Sequence, residues 1–106
     1  MDFRHHLILG NLYNAARRYA PEYINKAEEV LLRAVELSPK NQQGLSSLSQ
    51  TYLYKGDYEK AITLLEKSRD LEPRFEQPHW SLLEVYDVAQ KYDKATAEVE
   101  LIINSN

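Results

Sequence analysis

The chain has 106 residues, of which 43% are hydrophobic and 27% charged, and its formal net charge is −3. This size allows one core and leaves no room for separate catalytic and regulatory domains, and the apolar content argues against disorder. A weakly acidic chain has no global field that attracts nucleic acid or an anionic membrane. The absence of cysteine excludes disulfides, zinc–thiolate sites and thiol nucleophiles.

No stretch of the chain has the length of a membrane span. The longest apolar runs, such as Leu7–Leu9, have three residues, whereas a span needs about 20 and a signal-peptide core about 7–15. We therefore expect no signal peptide and no transmembrane segment in this chain. The sequence identifies no compartment, and the cytoplasm is the default.

The chain repeats itself with a step of 34 residues. Tyr52 and Ala61 are followed 34 positions later by Tyr86 and Ala95, and the same step backwards from Ala61 reaches Ala27. Within each unit apolar residues recur every three or four positions, which is the spacing of an amphipathic helix. We therefore predict three units of two helices each.

The first unit is predicted to contain helices at 3–19 and 22–38. From Tyr13 to Ala27 there are fourteen residues, where the corresponding interval in the other units has nine. The five extra residues, 17–21, lengthen either the first helix or the turn that follows it. The register of the first helix depends on which alternative holds.

The second and third units predict helices at 42–54, 58–71, 77–89 and 92–104. Asn41 and Asp57 are suited to cap helix N-termini, and Gly56 to end the preceding helix. Pro78 fits near a helix start, where its missing N–H costs little. Gly44, inside a helix, is expected to cost about 1 kcal/mol relative to alanine.

Together these residues resemble the tetratricopeptide repeat, a 34-residue helical hairpin. The resemblance covers nearly the whole chain and rests on matching positions in each unit: Leu9, Gly10, Tyr13, Ala27, Leu31, Ala34 and Pro39; Leu48, Ser49, Tyr52, Ala61, Leu65, Ser68 and Pro73; Leu82, Leu83, Tyr86, Ala95, Val99 and Ile102. It implies a single all-α domain, 1–106, in which three stacked hairpins at about 4–40, 41–75 and 76–106 form a right-handed α-solenoid. Bulky Leu83 and Ile102 replace small residues. In this family the position of Ile102 packs toward the following repeat, which implies that no standard fourth repeat docks there.

The resemblance also implies a protein-interaction module without catalytic activity. In this family the first helices of the hairpins line an inner wall that binds extended peptides or partner helices. We predict Tyr54 and Trp80 as anchors and the amides as partners of peptide main chain. The alternative is that Trp80 packs between adjacent first helices. The carried-over wall residues are Arg4, Asn11, Asn14, Gln43, Gln50, Tyr54, Gln77, Trp80, Glu84 and Asp87.

The third unit is acidic. Residues 76–106 carry two basic and six acidic side chains. Glu84 and Asp87 on the wall favour a basic ligand by charge complementarity. The simpler alternative is a solvated acidic face that keeps the protein soluble.

Some members of the family bind the C-terminal carboxylate of heat-shock chaperones through Lys, Asn and Arg side chains. Only Asn11 matches among the corresponding residues, which are Leu7, Asn11, Ser47, Gln77 and Ser81. Without cationic donors, a carboxylate lacks its charge-assisted hydrogen bonds. We therefore predict that such a tail is not a partner.

The residue patterns that metal binding, phosphate binding and nucleic-acid binding require are missing from this sequence. His5 and His6 are adjacent and point about 100° apart on a helix, so they do not chelate one metal ion. The glycines stand alone, without a phosphate-binding loop. The one basic doublet, Arg17-Arg18, carries few charges for nucleic acid. We therefore expect no enzyme activity, cofactor, metal or nucleic-acid ligand.

A structural role is the alternative to peptide binding. The last helix has an apolar face too wide for solvent alone, and repeat arrays are normally closed by a polar helix. We expect either self-association through the open ends, as a homo-oligomer, or a domain cut from a longer protein. The residues of that face are Val99, Leu101, Ile102 and Ile103.

Three short sequence segments are relevant to the possibility that the chain is a domain of a longer protein. Phe3–His6, Leu9–Tyr13 and Pro21–Tyr23 resemble parts of the repeat tails of bacterial O-antigen polymerase- or ligase-like membrane proteins. This resemblance implies a soluble domain that organises partners beside a membrane enzyme and does no glycan chemistry itself.

Overall fold

The structure, a computed structural model, describes residues 2–104, which form six α-helices: α1 (Phe3–Ala16), α2 (Tyr23–Leu37), α3 (Gln42–Lys55), α4 (Tyr58–Leu71), α5 (Glu76–Val88) and α6 (Tyr92–Asn104). No strand occurs in this range. Each helix packs against the next, and α1 also packs against α3. The stacking of neighbours confirms the predicted all-α, helical-repeat solenoid.

The helix boundaries agree with the predictions to within one residue, except at the end of α1. The Oδ1 atom of Asn41 accepts a hydrogen bond from the backbone N–H of Gln43 at 2.9 Å. Asp57 caps α4 in the same way through the N–H of Lys60, and Gly56 ends α3 with a φ of 78°. Local side chains therefore determine where these helices begin and end.

The insertion in the first hairpin lengthens the turn rather than the helix. α1 ends at Ala16, and α2 begins only at Tyr23. Arg17 Nη1 donates to the carbonyl oxygen of Asn14 at 2.6 Å, and the rings of Tyr13 and Tyr23 stack with their centroids 5.6 Å apart. The stacked rings join the two ends of the long turn, and α1 and α2 still pack together as a hairpin.

Small residues bring the helices close together in the core. Ala27, Ala34 and Ala61 are fully buried. At Gly10 there is no room for a side chain, because an added Cβ would lie 2.3 Å from Cγ of Leu31. Gly10 therefore permits the close approach of α1 and α2.

Helix α6 is held by a buried ionic cluster, which we call the Glu98 cluster (Arg69, His79 and Glu98). Glu98 is the one residue of α6 that is buried, with 1% of its surface exposed. Its carboxylate accepts a hydrogen bond from Nη1 of Arg69 on α4 at 2.7 Å and contacts Nδ1 of His79 on α5. One carboxylate therefore joins three helices.

Arg69 and His79 of the Glu98 cluster each have a further partner. Burial acts to lower the pKa of Arg69, but hydrogen bonds to Asp70 and Glu98 outweigh it and raise this pKa above its ordinary value. His79 Nε2 lies 2.8 Å from the carbonyl oxygen of Pro73, which can only accept. Both ring nitrogens face acceptors, whereas a neutral imidazole has one donor. Both nitrogens of the buried His79 ring therefore lie against oxygen atoms of the protein.

The residues 34 positions before Arg69, His79 and Glu98 are all apolar: Val35, Leu45 and Leu64. Leu45 is fully buried, and Val35 and Leu64 pack against a buried core cluster. Buried ion clusters add little net stability over apolar residues of similar volume. The contact that apolar side chains make one repeat earlier is therefore made by ionic and polar side chains in the third hairpin.

The first prediction concerns this contact. Glu98→Ala is expected to lower the free energy of unfolding by about 3–5 kcal/mol, because it removes the carboxylate that pairs with Arg69 and contacts His79. The triple replacement Arg69→Val, His79→Leu and Glu98→Leu copies the apolar contact and is expected to be neutral or stabilising by about 1–4 kcal/mol. Urea unfolding measures both changes, with exposed Glu100→Ala as the control. A triple variant that is less stable than Glu98→Ala contradicts this account.

The second prediction compares two turns. Gly56 after α3 and Gln90 after α5 occupy equivalent positions, with φ values of 78° and 60°. A residue with a Cβ loses about 1–2 kcal/mol in this left-handed region relative to glycine. Glycine loses more conformational entropy on folding, which offsets part of its advantage. Gln90→Gly is therefore expected to stabilise the protein by about 0.5–1 kcal/mol, and Gly56→Gln to destabilise it by a similar amount. Thermal or urea unfolding that gives no gain for Gln90→Gly contradicts the prediction.

Candidate functional site

Side chains of α1, α3 and α5 line one continuous groove. These helices alternate with α2, α4 and α6 in the stack, so their outward residues lie side by side on one surface. The groove has three adjoining sections. The central section, of about 470 Å³, is lined by Leu7, Asn11, Gln42, Gln43, Ser46, Ser47, Leu65, Ser68, Phe75, Gln77, Pro78 and Ser81.

The lining of the central section carries no charged side chain. Gln42 is fixed by Ser68, whose hydroxyl donates to its Oε1 and whose carbonyl oxygen accepts from its Nε2 at 3.2 Å. Asn11, Gln43 and Gln77 are exposed, and within residues 2–104 their side chains form no hydrogen bond. Each of these free amides offers a ligand both donors and an acceptor.

The second section, which we call the basic end, adjoins the central section through shared residues of α1 and α3. The guanidinium of Arg17 lies 3.2 Å above the ring centroid of Tyr54, a cation–π contact that orients both side chains. Tyr54 keeps 40% of its surface exposed. The basic end is lined by Asn11, Asn14, Ala15, Arg17, Arg18, Tyr19, Ser46, Ser47, Gln50 and Tyr54.

The prediction for Asn14 needs a correction. The side chain lies at the base of the groove with 7% of its surface exposed, and both of its polar atoms are used inside the protein. Its Oδ1 accepts from the Thr51 hydroxyl at 2.8 Å, and its Nδ2 donates to the Ser47 carbonyl oxygen at 3.4 Å. A buried amide must find partners, so Asn14 joins α1 to α3 instead of standing open to a ligand.

The third section, which we call the acidic end, lies on the other side of the central section. Trp80 has 57% of its surface exposed there, so the alternative in which it packs between adjacent first helices is wrong. Arg4 and Asp87 are also exposed but do not line any of the three sections. The acidic end is lined by Arg74, Phe75, Glu76, Gln77, Trp80, Ser81 and Glu84.

The positions that correspond to the chaperone-tail clamp all lie in the central section. These five side chains therefore lie on one surface of the stack. No lysine or arginine stands among them, and the prediction that such tails do not bind is unchanged. The residues are Leu7, Asn11, Ser47, Gln77 and Ser81.

Two prominent lining residues were missed. Arg17 belongs to the insertion, which has no counterpart in the 34-residue pattern. Phe75 comes directly before α5, outside the helical periodicity, yet it is 41% exposed and lines both the central section and the acidic end. The signal for Phe75 is its place as an aromatic residue in a turn that precedes a first helix.

The outer surface of α6 is apolar, as the sequence suggested, with one difference. Val99, Leu101 and Ile103 have exposed fractions of 40%, 49% and 63%, whereas Ile102 is half-buried. Tyr92 and Thr96 continue the line of Val99 and Ile103 at helical spacing. The exposed stripe therefore excludes Ile102.

Among the described residues, none of the helices combines the length and the apolar character that crossing a membrane requires. In the same part of the chain, no three His, Cys, Asp or Glu side chains stand together as metal ligands would.

Comparison with known families agrees with the architecture. The family model of the tetratricopeptide repeat matches residues 43–75, which cover nearly all of α3 and the whole of α4. No curated protein matches the chain in sequence. The matched segment and the stacking of the described helices together support a tetratricopeptide repeat architecture. Such repeats are in general protein-interaction modules, and the other two repeat boundaries stay predictions.

Proposed function

We propose that the groove across α1, α3 and α5 binds an extended segment of a partner protein. The observation that carries this proposal is the central section, where exposed amides without internal hydrogen bonds surround an uncharged space. Solvated amides at one surface match what a peptide backbone offers, which is alternating N–H donors and C=O acceptors. The central section therefore suits main chain rather than a charged end group.

Exposed aromatic side chains flank the amides and supply apolar contact area. Tyr54 stands at the basic end, Phe75 beside the central section and Trp80 at the acidic end. Aromatic residues contribute most to many interfaces because they bury a large area and lose little conformational freedom. Tyr54 is already oriented by Arg17, so it is the better-prepared anchor of the predicted pair.

Binding without chemistry fits this lining. General acid–base or nucleophilic catalysis needs titratable groups that converge on one point, and the central section contributes only apolar, amide and hydroxyl side chains. The proposal therefore includes no catalytic residue, cofactor or metal.

The third prediction tests the groove. Selection from a random peptide display library is expected to yield a consensus, and Gln50→Ala and Trp80→Ala are each expected to weaken its binding about tenfold or more. Asn25→Ala on α2 and Tyr92→Ala on α6 are the matched amide and aromatic controls, and both residues are exposed away from the groove. A well-folded protein that enriches no peptide, or a consensus that only the controls weaken, contradicts the proposal.

The second candidate function is self-association through the ends of the stack. The exposed stripe of α6 has a counterpart on α1, where Ile8 and Leu12 are 55% and 60% exposed. Residues 1–40 carry six basic and five acidic side chains, whereas residues 76–106 carry two and six. This difference favours head-to-tail contact between unlike ends, a heterologous arrangement that continues along a row of copies.

The fourth prediction tests this candidate. If copies stack head to tail, Ile8→Glu and Ile103→Glu each abolish larger assemblies, and an equimolar mixture of the two variants forms a one-to-one dimer because one intact end remains on each. Light scattering over a wide concentration range measures the mass, with Leu37→Glu as the control for an exposed leucine on α2. A wild-type protein that stays monomeric throughout contradicts self-association.

The resemblance to repeat tails of O-antigen polymerase- or ligase-like membrane proteins gives a third hypothesis. In that setting the groove would hold a partner segment beside a membrane enzyme. The coding sequence on either side of this chain distinguishes the case directly: neighbouring membrane spans in the same reading frame support it, and stop codons at both ends contradict it.

A further inference from the structure

We propose that the ligand of this groove is an extended peptide with segregated charge, acidic where it meets the basic end and basic where it meets the acidic end. This inference rests on the proposed function and adds the chemical class of the ligand. It depends on three observations: the continuity of the groove, the unpaired charges at its two ends, and the neutral lining between them.

The three sections form a single path. The basic end and the central section share Asn11, Ser46 and Ser47. The central section and the acidic end share Phe75, Gln77 and Ser81. The three sections therefore adjoin one another along the surface of α1, α3 and α5.

The basic end presents two arginines that have no carboxylate partner within residues 2–104. Arg17 is held in place by the carbonyl oxygen of Asn14 and by the ring of Tyr54, and Arg18 is exposed beside it. No acidic residue lines this section. An ordered guanidinium pairs well with a carboxylate because its donors match the two oxygens.

The acidic end has the opposite character. Glu76 and Glu84 line it with a single cation, Arg74, and Asp87 lies on the same face of α5 as Glu84 because it follows three positions later. None of these three carboxylates forms an ion pair in the described part of the chain. Trp80 lies among them and adds a face that attracts cations. A lysine or arginine of the ligand gains from Glu76, Glu84 and Trp80, which line this section.

The neutral central section lies between the two charged ends of the groove. A ligand that spans all three sections therefore places uncharged residues between its acidic and its basic part.

Uniformly charged ligands fit this surface less well. A wholly acidic segment gains at the arginines and is repelled at Glu84, and a wholly basic segment has the reverse problem. Complementary charges at both ends also fix the direction of the bound chain, since the wrong orientation brings like charges together. The same argument disfavours single-stranded nucleic acid, whose charge is negative along its whole length.

The fifth prediction uses four capped peptides that share one neutral core. Two of them carry two aspartates at one end and two lysines at the other, in opposite orders. The third has the same composition with alternating charges, and the fourth carries aspartate in place of lysine. One of the two segregated peptides is expected to bind about tenfold tighter than the alternating and all-aspartate peptides, and the advantage is expected to shrink in high salt. Isothermal titration calorimetry measures each affinity.

A charge-swapped protein provides the decisive comparison. Arg18→Glu combined with Glu84→Lys is expected to reverse which segregated order binds better, whereas Lys26→Glu combined with Glu29→Lys on α2 is expected to leave the preference unchanged. Circular dichroism and thermal unfolding check that both variants fold.

The outcomes separate this inference from the proposed function. Equal affinity for segregated and alternating peptides, tighter binding of the all-aspartate peptide or of an oligouridylate, or an unchanged preference in the swapped protein overturns charge segregation alone, provided that the library consensus still binds. If neither the consensus nor any of the four peptides binds the folded protein, the groove function itself is overturned.

Discussion

The structure depends on one constraint: a helix of this protein finds its packing partners almost entirely among its neighbours along the chain. Each hairpin buries its apolar side only by stacking on the next one, which is the general physics of repeat arrays. Alternate helices then present their remaining surfaces together. The groove across α1, α3 and α5 is therefore a consequence of the stacking, and its chemistry depends only on which side chains stand at the outward positions.

Nearest-neighbour packing also makes stability uneven along the stack. Helices in the middle are covered on both sides by apolar clusters, whereas α6 buries the carboxylate of Glu98 and little else. With an ionic joint in place of apolar packing, α6 is expected to open at lower free energy than the core helices. Its apolar outer stripe and its ionic inner contact both distinguish it from α4, the equivalent helix of the preceding hairpin.

Most of the fold could be predicted from the sequence because its signals are local. The caps at Asn41 and Asp57 and the glycine stop at Gly56 gave helix boundaries, and the 34-residue period gave the stacking. The sequence signal failed where a contact spans different helices. Asn14 resembles a solvated amide until Thr51 of α3 is beside it. Glu98 resembles a surface charge when it is considered alone. Its burial is indicated only by the repeat, because the equivalent residue 34 positions earlier is Leu64 and because His79 likewise occupies the position of an apolar residue, Leu45.

The central claim, that an extended segment lies across α1, α3 and α5, is tested most directly by nuclear magnetic resonance of the labelled protein with a library-selected peptide. The account predicts that chemical-shift changes and contacts to the peptide concentrate on the side-chain amides of Asn11, Gln43 and Gln77 and on the indole of Trp80. Changes confined to the outer surfaces of α2, α4 and α6, with these groove signals unmoved, would contradict it.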